Sequence, residues 1–245
     1  MSDHVLDVRE LRVVIGGHVA VDGIDLTIGP GERWGLIGAS GAGKSMTATA
    51  VAGLLPPHAR VEGVVHRTGR ATLVAQDSAT ALHPLVPVGR QVAAALRRHH
   101  ELSRRAAARR AEDLLADVGL PDGTARTRPA ELSGGQRQRV ALAAALACDA
   151  ALLLADEPTA ALDPTVARDL LAQLRRSLDA TGTALLLVTH DLTALAAVCD
   201  HVAVLDEGRI VERGPVDDVL AAPAHECTRA LVDAARSLVP RALPA

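Results

Sequence analysis

The eight residues Gly38-Ala39-Ser40-Gly41-Ala42-Gly43-Lys44-Ser45 constrain this chain more than any other feature of it. They follow a short apolar run, Trp34 to Ile37, and open a segment of helical character from about Lys44 to Leu54, which Pro56-Pro57 is expected to stop. Glycines in such a run let backbone N–H groups curl around an anion where a Cβ would clash. The N-terminus of the helix behind them adds a partial positive charge. A strand, a loop of this pattern and a helix make a phosphate-binding unit. In it Lys44 is expected to reach the β- and γ-phosphates of a nucleotide, and Ser45 to ligate Mg²⁺.

The rest of the chain supplies a fold for that unit. Val5 to Val14 and Val19 to Ile28 alternate and are rich in β-branched residues. Gly16-Gly17 is a turn between them, and Gly29-Pro30-Gly31 ends the second. Ala71 to Ala75 is a further short strand. From about Pro87 to Leu120 the chain is rich in Ala, Leu and Arg at helical spacing. Ser103 is placed to cap a helix reaching about Val118, closed by Gly119 and Pro121. Strands and helices then alternate: Leu152 to Ala155, a helix after Pro164, Thr183 to Thr189, a helix after Asp191, and Val202 to Leu205. That alternation predicts an α/β fold with a mainly parallel sheet covered on both faces.

Composition narrows the function. The chain has 245 residues, 49% of them hydrophobic, with no Phe, no Tyr and a single Trp. The core is therefore built from Leu, Val, Ile and Ala. Any site needing an aromatic platform must use Trp34 or a histidine, which argues against stacking-based binding of single-stranded nucleic acid. A formal net charge of −3 supplies no basic field for nucleic acid either. Cys148, Cys199 and Cys227 are scattered, without metal-ligand spacing, and fit a reduced compartment. Asp3, Asp7, Arg9 and Glu10 exclude a signal-peptide pattern at the start. The longest apolar run, Val140 to Cys148, has nine residues, against about 20 for a membrane-spanning helix. The chain is expected to be soluble and to reach a membrane only through a partner.

Two further motifs carry chemistry. Asp156 and Glu157 stand at the end of the apolar run Leu152-Leu153-Leu154-Ala155, and Pro158 stops the strand there. Beside a phosphate loop, Asp156 suits the Mg²⁺ shell, and Glu157 suits orienting or deprotonating an attacking water. Leu132-Ser133-Gly134-Gly135-Gln136 precedes a helical pattern, Arg137 to Cys148. Ser133 is a good N-cap, and the glycines permit close backbone approach, so this is a second anion-binding helix end. Two such ends in one chain suggest two different nucleotides.

Over almost its whole length the sequence resembles the nucleotide-binding domain of ABC transporters. The phosphate loop at 38–45, Gln76 after a strand, the signature at 132–136, Asp156-Glu157, Ala161-Leu162-Asp163 and His190 occur in that family's order. The resemblance implies an α/β P-loop NTPase fold: a mainly parallel sheet, an N-terminal antiparallel β subdomain and an inserted helical subdomain. The core would cover about 1–84 and 150–245, and the helical insert about 85–149, within one domain of 1–245. It implies ATP and Mg²⁺ as cofactors and a head-to-tail pair of domains sandwiching two ATPs. The nucleotide contacts would be residues 38–45 with Met46, and, toward the partner's ATP, Ser133, Gly134, Gly135 and Gln136, with Asp163 communicating across the interface. Glu157, His190 and Gln76 would be catalytic, and Ser45, Gln76 and Asp156 would serve the metal. The implied partners are a second ATPase subunit, unlike or identical, membrane permease subunits and, indirectly, an extracytoplasmic substrate-binding protein. Nucleic acid is not among them. The implied location is peripheral, on the cytoplasmic face of the cell membrane.

Gln76-Asp77-Ser78-Ala79-Thr80-Ala81-Leu82-His83-Pro84 and Pro223-Ala224-His225-Glu226-Cys227-Thr228-Arg229-Ala230-Leu231 resemble the oligopeptide, dipeptide and nickel importer branch. An exporter ATPase is the alternative within the family. Non-transport ABC proteins and ATP-binding regulatory subunits are further ones, the latter opposed by the intact Glu157 and His190. Two departures stand out. The family often stacks adenine on an aromatic just after the first strand. Ile15 and its neighbours offer none, so base selectivity is expected to be loose. The stretch Val64 to Ala71 is short where relatives carry a longer strand-rich excursion, so that edge is expected to be trimmed.

Overall fold

The computed structural model describes residues 4–76 and 81–238. The chain runs β1 (Leu6–Ile15), β2 (His18–Ile28), β3 (Arg33–Gly38), α1 (Lys44–Ala52), β4 (Arg60–Arg67), β5 (Ala71–Val74), α2 (Val88–His99), α3 (Arg104–Asp117), α4 (Gly134–Leu146), β6 (Leu152–Asp156), α5 (Pro164–Thr181), β7 (Ala184–Val188), α6 (Leu192–Val198), β8 (His201–Asp206), β9 (Arg209–Pro215), α7 (Val216–Ala221) and α8 (Glu226–Leu238). Two short 3₁₀ turns lie between α3 and α4.

The strands form two sheets. β2-β1-β4 is antiparallel, and the larger sheet has the order β5-β6-β7-β3-β8-β9, parallel except for the antiparallel edge strand β9. The apolar runs that become β6 and β7 are buried on both faces, as a covered parallel sheet requires. Alternation along them divides the core in two. Leu153, Ala155, Leu185 and Leu187 face the helices. Leu152, Leu154, Leu186 and Val188 face the cluster that includes α1 and the antiparallel sheet.

Local chemistry moved some boundaries. α1 ends at Ala52, before the prolines, because Gly53 adopts a left-handed φ of 73°. Gly53 N–H then donates to Ala50 O and Leu54 N–H to Thr49 O, a glycine C-cap that closes the helix first. α4 begins at Gly134 and not at Arg137, because Ser133 and Gln136 cap it reciprocally. Strands β4 and β9 and helices α7 and α8 had no clear signal in the sequence. β4 is almost wholly exposed and so carries no buried alternation. It pairs with β1 across a bulge where Glu10 has φ 50° and Gly63 φ 88°. A Cβ on Gly63 would stand 2.4 Å from Glu10 O, so only glycine fits. Three residues, 68–70, link β4 to β5. Among the described residues no helix is long and apolar enough to cross a membrane.

Candidate nucleotide site

Four candidate elements of the site issue from the same end of the parallel sheet. The register sets Leu36 beside Val188, Val188 beside Asp156 and Val74 beside Ala155. The loops after β3, β5, β6 and β7 therefore emerge together, carrying Gly38–Ser45, Gln76, Glu157 and His190. Clefts at the carboxyl ends of parallel strands are where such sheets bind ligands.

In the phosphate loop the glycines have distinct reasons. A Cβ on Gly38 would lie 2.1 Å from Leu205 O, and one on Gly43 2.2 Å from Ala20 O. The loop is thus wedged between β8 and β2. Gly41 has φ 82° and open space beside it, so its backbone conformation alone calls for glycine. Ala39, Ser40 and Gly41 form the exposed crest, and Ala42 is buried beneath. Ser45 is exposed on the first turn of α1, while Met46 is half-buried and packs on the core. Lys44 Nζ donates to Gly38 O and Ala39 O, both at 2.9 Å. Burial pulls its pKa below the usual ammonium range, against the opposing pull of Glu157 and Asp156.

The carboxylates sit across from that lysine. Asp156 is buried, and its Oδ1 has no hydrogen-bond partner among the described residues. Burial raises its pKa, the Ser45 hydroxyl acts in the opposite sense, and Glu157 raises it further. An orphaned carboxylate oxygen beside a hydroxyl suits a hard cation that takes its remaining oxygens from phosphate and water. Glu157 has a left-handed φ of 50°, a conformation that costs an L-residue about 1–2 kcal/mol. Its N–H donates to Val188 O at 2.9 Å. Its Oε1 accepts from His190 N–H at 3.1 Å and lies 2.6 Å from His190 Nδ1. Buried Thr189 supports that turn through Oγ1, which accepts from Asp191 N–H. The His190 ring remains largely in solvent. Gln76 is exposed at the end of β5; residues 77–80 of the stretch that follows it lie outside the described residues.

The signature forms the N-terminus of α4. Ser133 Oγ accepts from Gln136 N–H at 3.2 Å, and Gln136 Oε1 accepts from Ser133 N–H at 2.9 Å. The Gln136 side chain is thus engaged in the cap. Gly134 has open space beside it, whereas a Cβ on Gly135 would lie 2.6 Å from Leu162 Cδ2 and 3.1 Å from Ala161 O. Gly135 is small because the segment 161–162 lies against it. Asp163 caps α5, its Oδ1 accepting from Thr165 N–H and Val166 N–H at 3.1 Å each. No hydrogen bond joins the signature to the phosphate loop among the described residues; deeper in α4 the helix is tied to the carboxylate turn. There buried Gln138 donates through Nε2 to Glu157 O at 2.7 Å. Sequence reasoning missed Gln138, since nothing in a helical run marks one glutamine as the one that faces inward.

Comparison with known proteins identifies the family. The sequence profile of the family described as ABC transporter matches residues 21–160. A probable peptide ABC transporter ATP-binding protein of Sinorhizobium fredii is 38% identical, over 95% of this chain and 77% of that protein. A dipeptide transport ATP-binding protein of Bacillus subtilis is 35% identical, over 94% and 76% respectively. An ATP-binding cassette solved as a dimer in a post-hydrolysis state with ADP and Pi is 26% identical, with a TM-score of 0.78 over 86% of this chain and 98% of that one. With its phosphate loop, paired carboxylates and capped signature helix on one scaffold, the chain belongs to the ABC transporter family, as a subunit that binds and hydrolyses ATP.

Proposed function

We propose that this ATPase drives uptake of peptides through a membrane permease, as one of two ATPase subunits on the cytoplasmic face of the membrane. The supporting observation is that relatives aligned over nearly the whole chain are named for peptide, dipeptide and D,D-dipeptide transport, and one for peptide import. The test is to reconstitute the chain with its permease and binding protein and to measure phosphate release. Dipeptide-loaded binding protein is expected to raise the ATPase rate several-fold, while a nickel complex leaves it unchanged. The reverse pattern assigns metal uptake, and stimulation without any binding protein assigns export.

In this reading the nucleotide-binding core covers about 1–84 and 150–245, and about 85–149 is the helical subdomain that meets the permease. The exposed crest Ala39-Ser40-Gly41 and the first turn of α1 offer backbone N–H groups to the phosphates. Lys44 exchanges the Gly38 and Ala39 carbonyls for phosphate oxygens, a charge-assisted bond stronger than those it gives up. Ser45 and Asp156 would hold Mg²⁺ with help from Gln76, and the chemistry supplied there would be charge neutralisation at the phosphates. No cluster of three His, Cys, Asp or Glu side chains is needed, since Mg²⁺ binds through one or two protein groups and the nucleotide. Glu157 takes a proton from the attacking water or aligns it, and His190, held by the Glu157 carboxylate, faces the γ-phosphate. Ser133, Gly134 and Gly135 approach the γ-phosphate bound by the partner subunit, and Asp163 lies at that interface.

Base recognition is expected to be weak. Trp34 cannot serve, because it stacks on His201 (ring centroids 4.9 Å apart) and donates through Nε1 to Glu32. Ile15 packs on the core, and the adjoining turn is Gly16-Gly17. GTP is therefore expected to compete with ATP within about tenfold in Kd, or ~1.4 kcal/mol. A preference for ATP beyond about a hundredfold, or ~2.7 kcal/mol, means that another group reads the base, with exposed His18 the first to test.

A further inference from the structure

Glu157 is buried and held in a left-handed conformation, so something must over-determine its place. Three contacts to its backbone do so, one of them local: Ala160 N–H, three residues on, donates to Glu157 O at 3.2 Å. In the other two, its N–H is bound by Val188 O of β7, and its carbonyl is bound by Gln138 Nε2 of α4. The Val188 contact continues the parallel sheet. The Gln138 contact comes from a helix 19 residues away in sequence, whose N-terminus is the signature.

The Gln138 amide is oriented by this one contact. Its neighbour is a carbonyl, so the NH₂ must face it, and Oε1 is then left buried without a partner among the described residues. A glutamine with one amide group bound and the other stranded is a poor stabilising device, because the unmet acceptor offsets what the donor contributes. An apolar side chain of the same length would fill the space without that penalty. What such a side chain could not do is tie the Glu157 carbonyl, which otherwise has only the local Ala160 N–H, to α4, and with it the direction of the carboxylate that meets His190.

We propose that Gln138 is a positioning residue for hydrolysis: it locks the Glu157 turn to the signature helix, so that the place of α4 governs the place of the catalytic carboxylate. A second intrachain contact points the same way, since Gly135 abuts Ala161 and Leu162 in the loop that follows Glu157. Displacement of α4 on engaging the partner's nucleotide is thereby passed to the carboxylate of the other site. The proposal rests on the assignment of Glu157 as the carboxylate that acts on water.

The test uses Gln138→Met and Gln138→Leu in the assembled ATPase, beside Glu157→Gln. Loss of a positioning contact is expected to lower kcat at least about tenfold, since small misplacements of a catalytic group have effects of this order or larger. KM for ATP is expected to stay within about twofold, because uniform binding is untouched. The melting temperature is expected to hold, because removing the donor also removes the stranded acceptor. A kcat within twofold of the parent in both variants overturns the proposal. So does a fall in kcat matched by equal falls in ATP affinity and melting temperature, which marks a structural role. If Glu157→Gln itself turns over normally, the assignment of Glu157 fails and the positioning role with it. If Glu157→Gln is inactive and Gln138→Met is normal, only the positioning role fails.

Discussion

Glu157→Gln is expected to lower kcat for ATP hydrolysis by at least about a hundredfold, or ~2.7 kcal/mol, while ATP still binds within a few-fold of the parent affinity. The exchange is nearly isosteric. The amide oxygen can still accept from His190 N–H, which now lies 3.1 Å from the carboxylate, so the turn keeps its shape. What is lost is the charge that draws a proton from water or aligns its lone pair. Nothing in the substitution touches the crest of the phosphate loop, so binding and chemistry separate. Steady-state phosphate release gives the first quantity and equilibrium titration with ATP the second. Because ATP stays bound and uncleaved, the ATP-loaded dimer is expected to accumulate and to elute ahead of the free chain on size exclusion. Turnover near the parent rate would falsify the role of Glu157 and transfer it to another group at this end of the sheet.

Two inactive variants, Lys44→Ala and Ser133→Asp, are expected to recover activity when mixed. Each alone is expected to lose about a hundredfold or more in rate, the usual scale for removing preorganised contacts to a developing anion. In Lys44→Ala the loop keeps its amides but loses its cation. In Ser133→Asp the N-cap survives, because aspartate caps as well as serine, and a carboxylate now faces the γ-phosphate. The geometry behind the prediction is that the signature and the phosphate loop share no hydrogen bond within one chain among the described residues, yet each lies at a helix N-terminus, where an anion is favoured. In a two-fold pair residue i of one copy meets j of the other, and the reverse. Both lesions then fall in one composite site of the mixed pair, and its second site is intact. With equal amounts and independent sites, about a quarter of parent activity is expected to return, since half the pairs are mixed and each carries one good site of two. Activity without mixing is expected to rise with protein concentration. No return on mixing assigns the signature to an unlike partner ATPase, whereas full, concentration-independent activity of a proven monomer refutes the composite site.

What the chain alone determined about this protein was its local chemistry. The phosphate loop, the carboxylates after Leu152–Ala155, the Ser133 cap and the strands β6 and β7 are legible because each depends on residues a few positions apart, through helix capping, glycine geometry or an unbroken apolar run. Strands β4 and β9 were not, because β4 is almost wholly exposed and β9 is only half-buried, so neither leaves a clear period in the sequence and each is held by its neighbour's backbone. Likewise, Trp34 read as an available aromatic until its ring was found stacked on His201. That a Cβ on Gly135 would collide with Leu162, a residue distant in the chain, was equally invisible in the sequence. Gln138 was one polar residue among several in a helix. Only the packing of α4 beneath the Glu157 turn, a contact across 19 residues of chain, turned its amide toward that carbonyl. Such choices belong to the tertiary structure because burial and pairing at long range are properties of the assembled elements, and no local spacing encodes them.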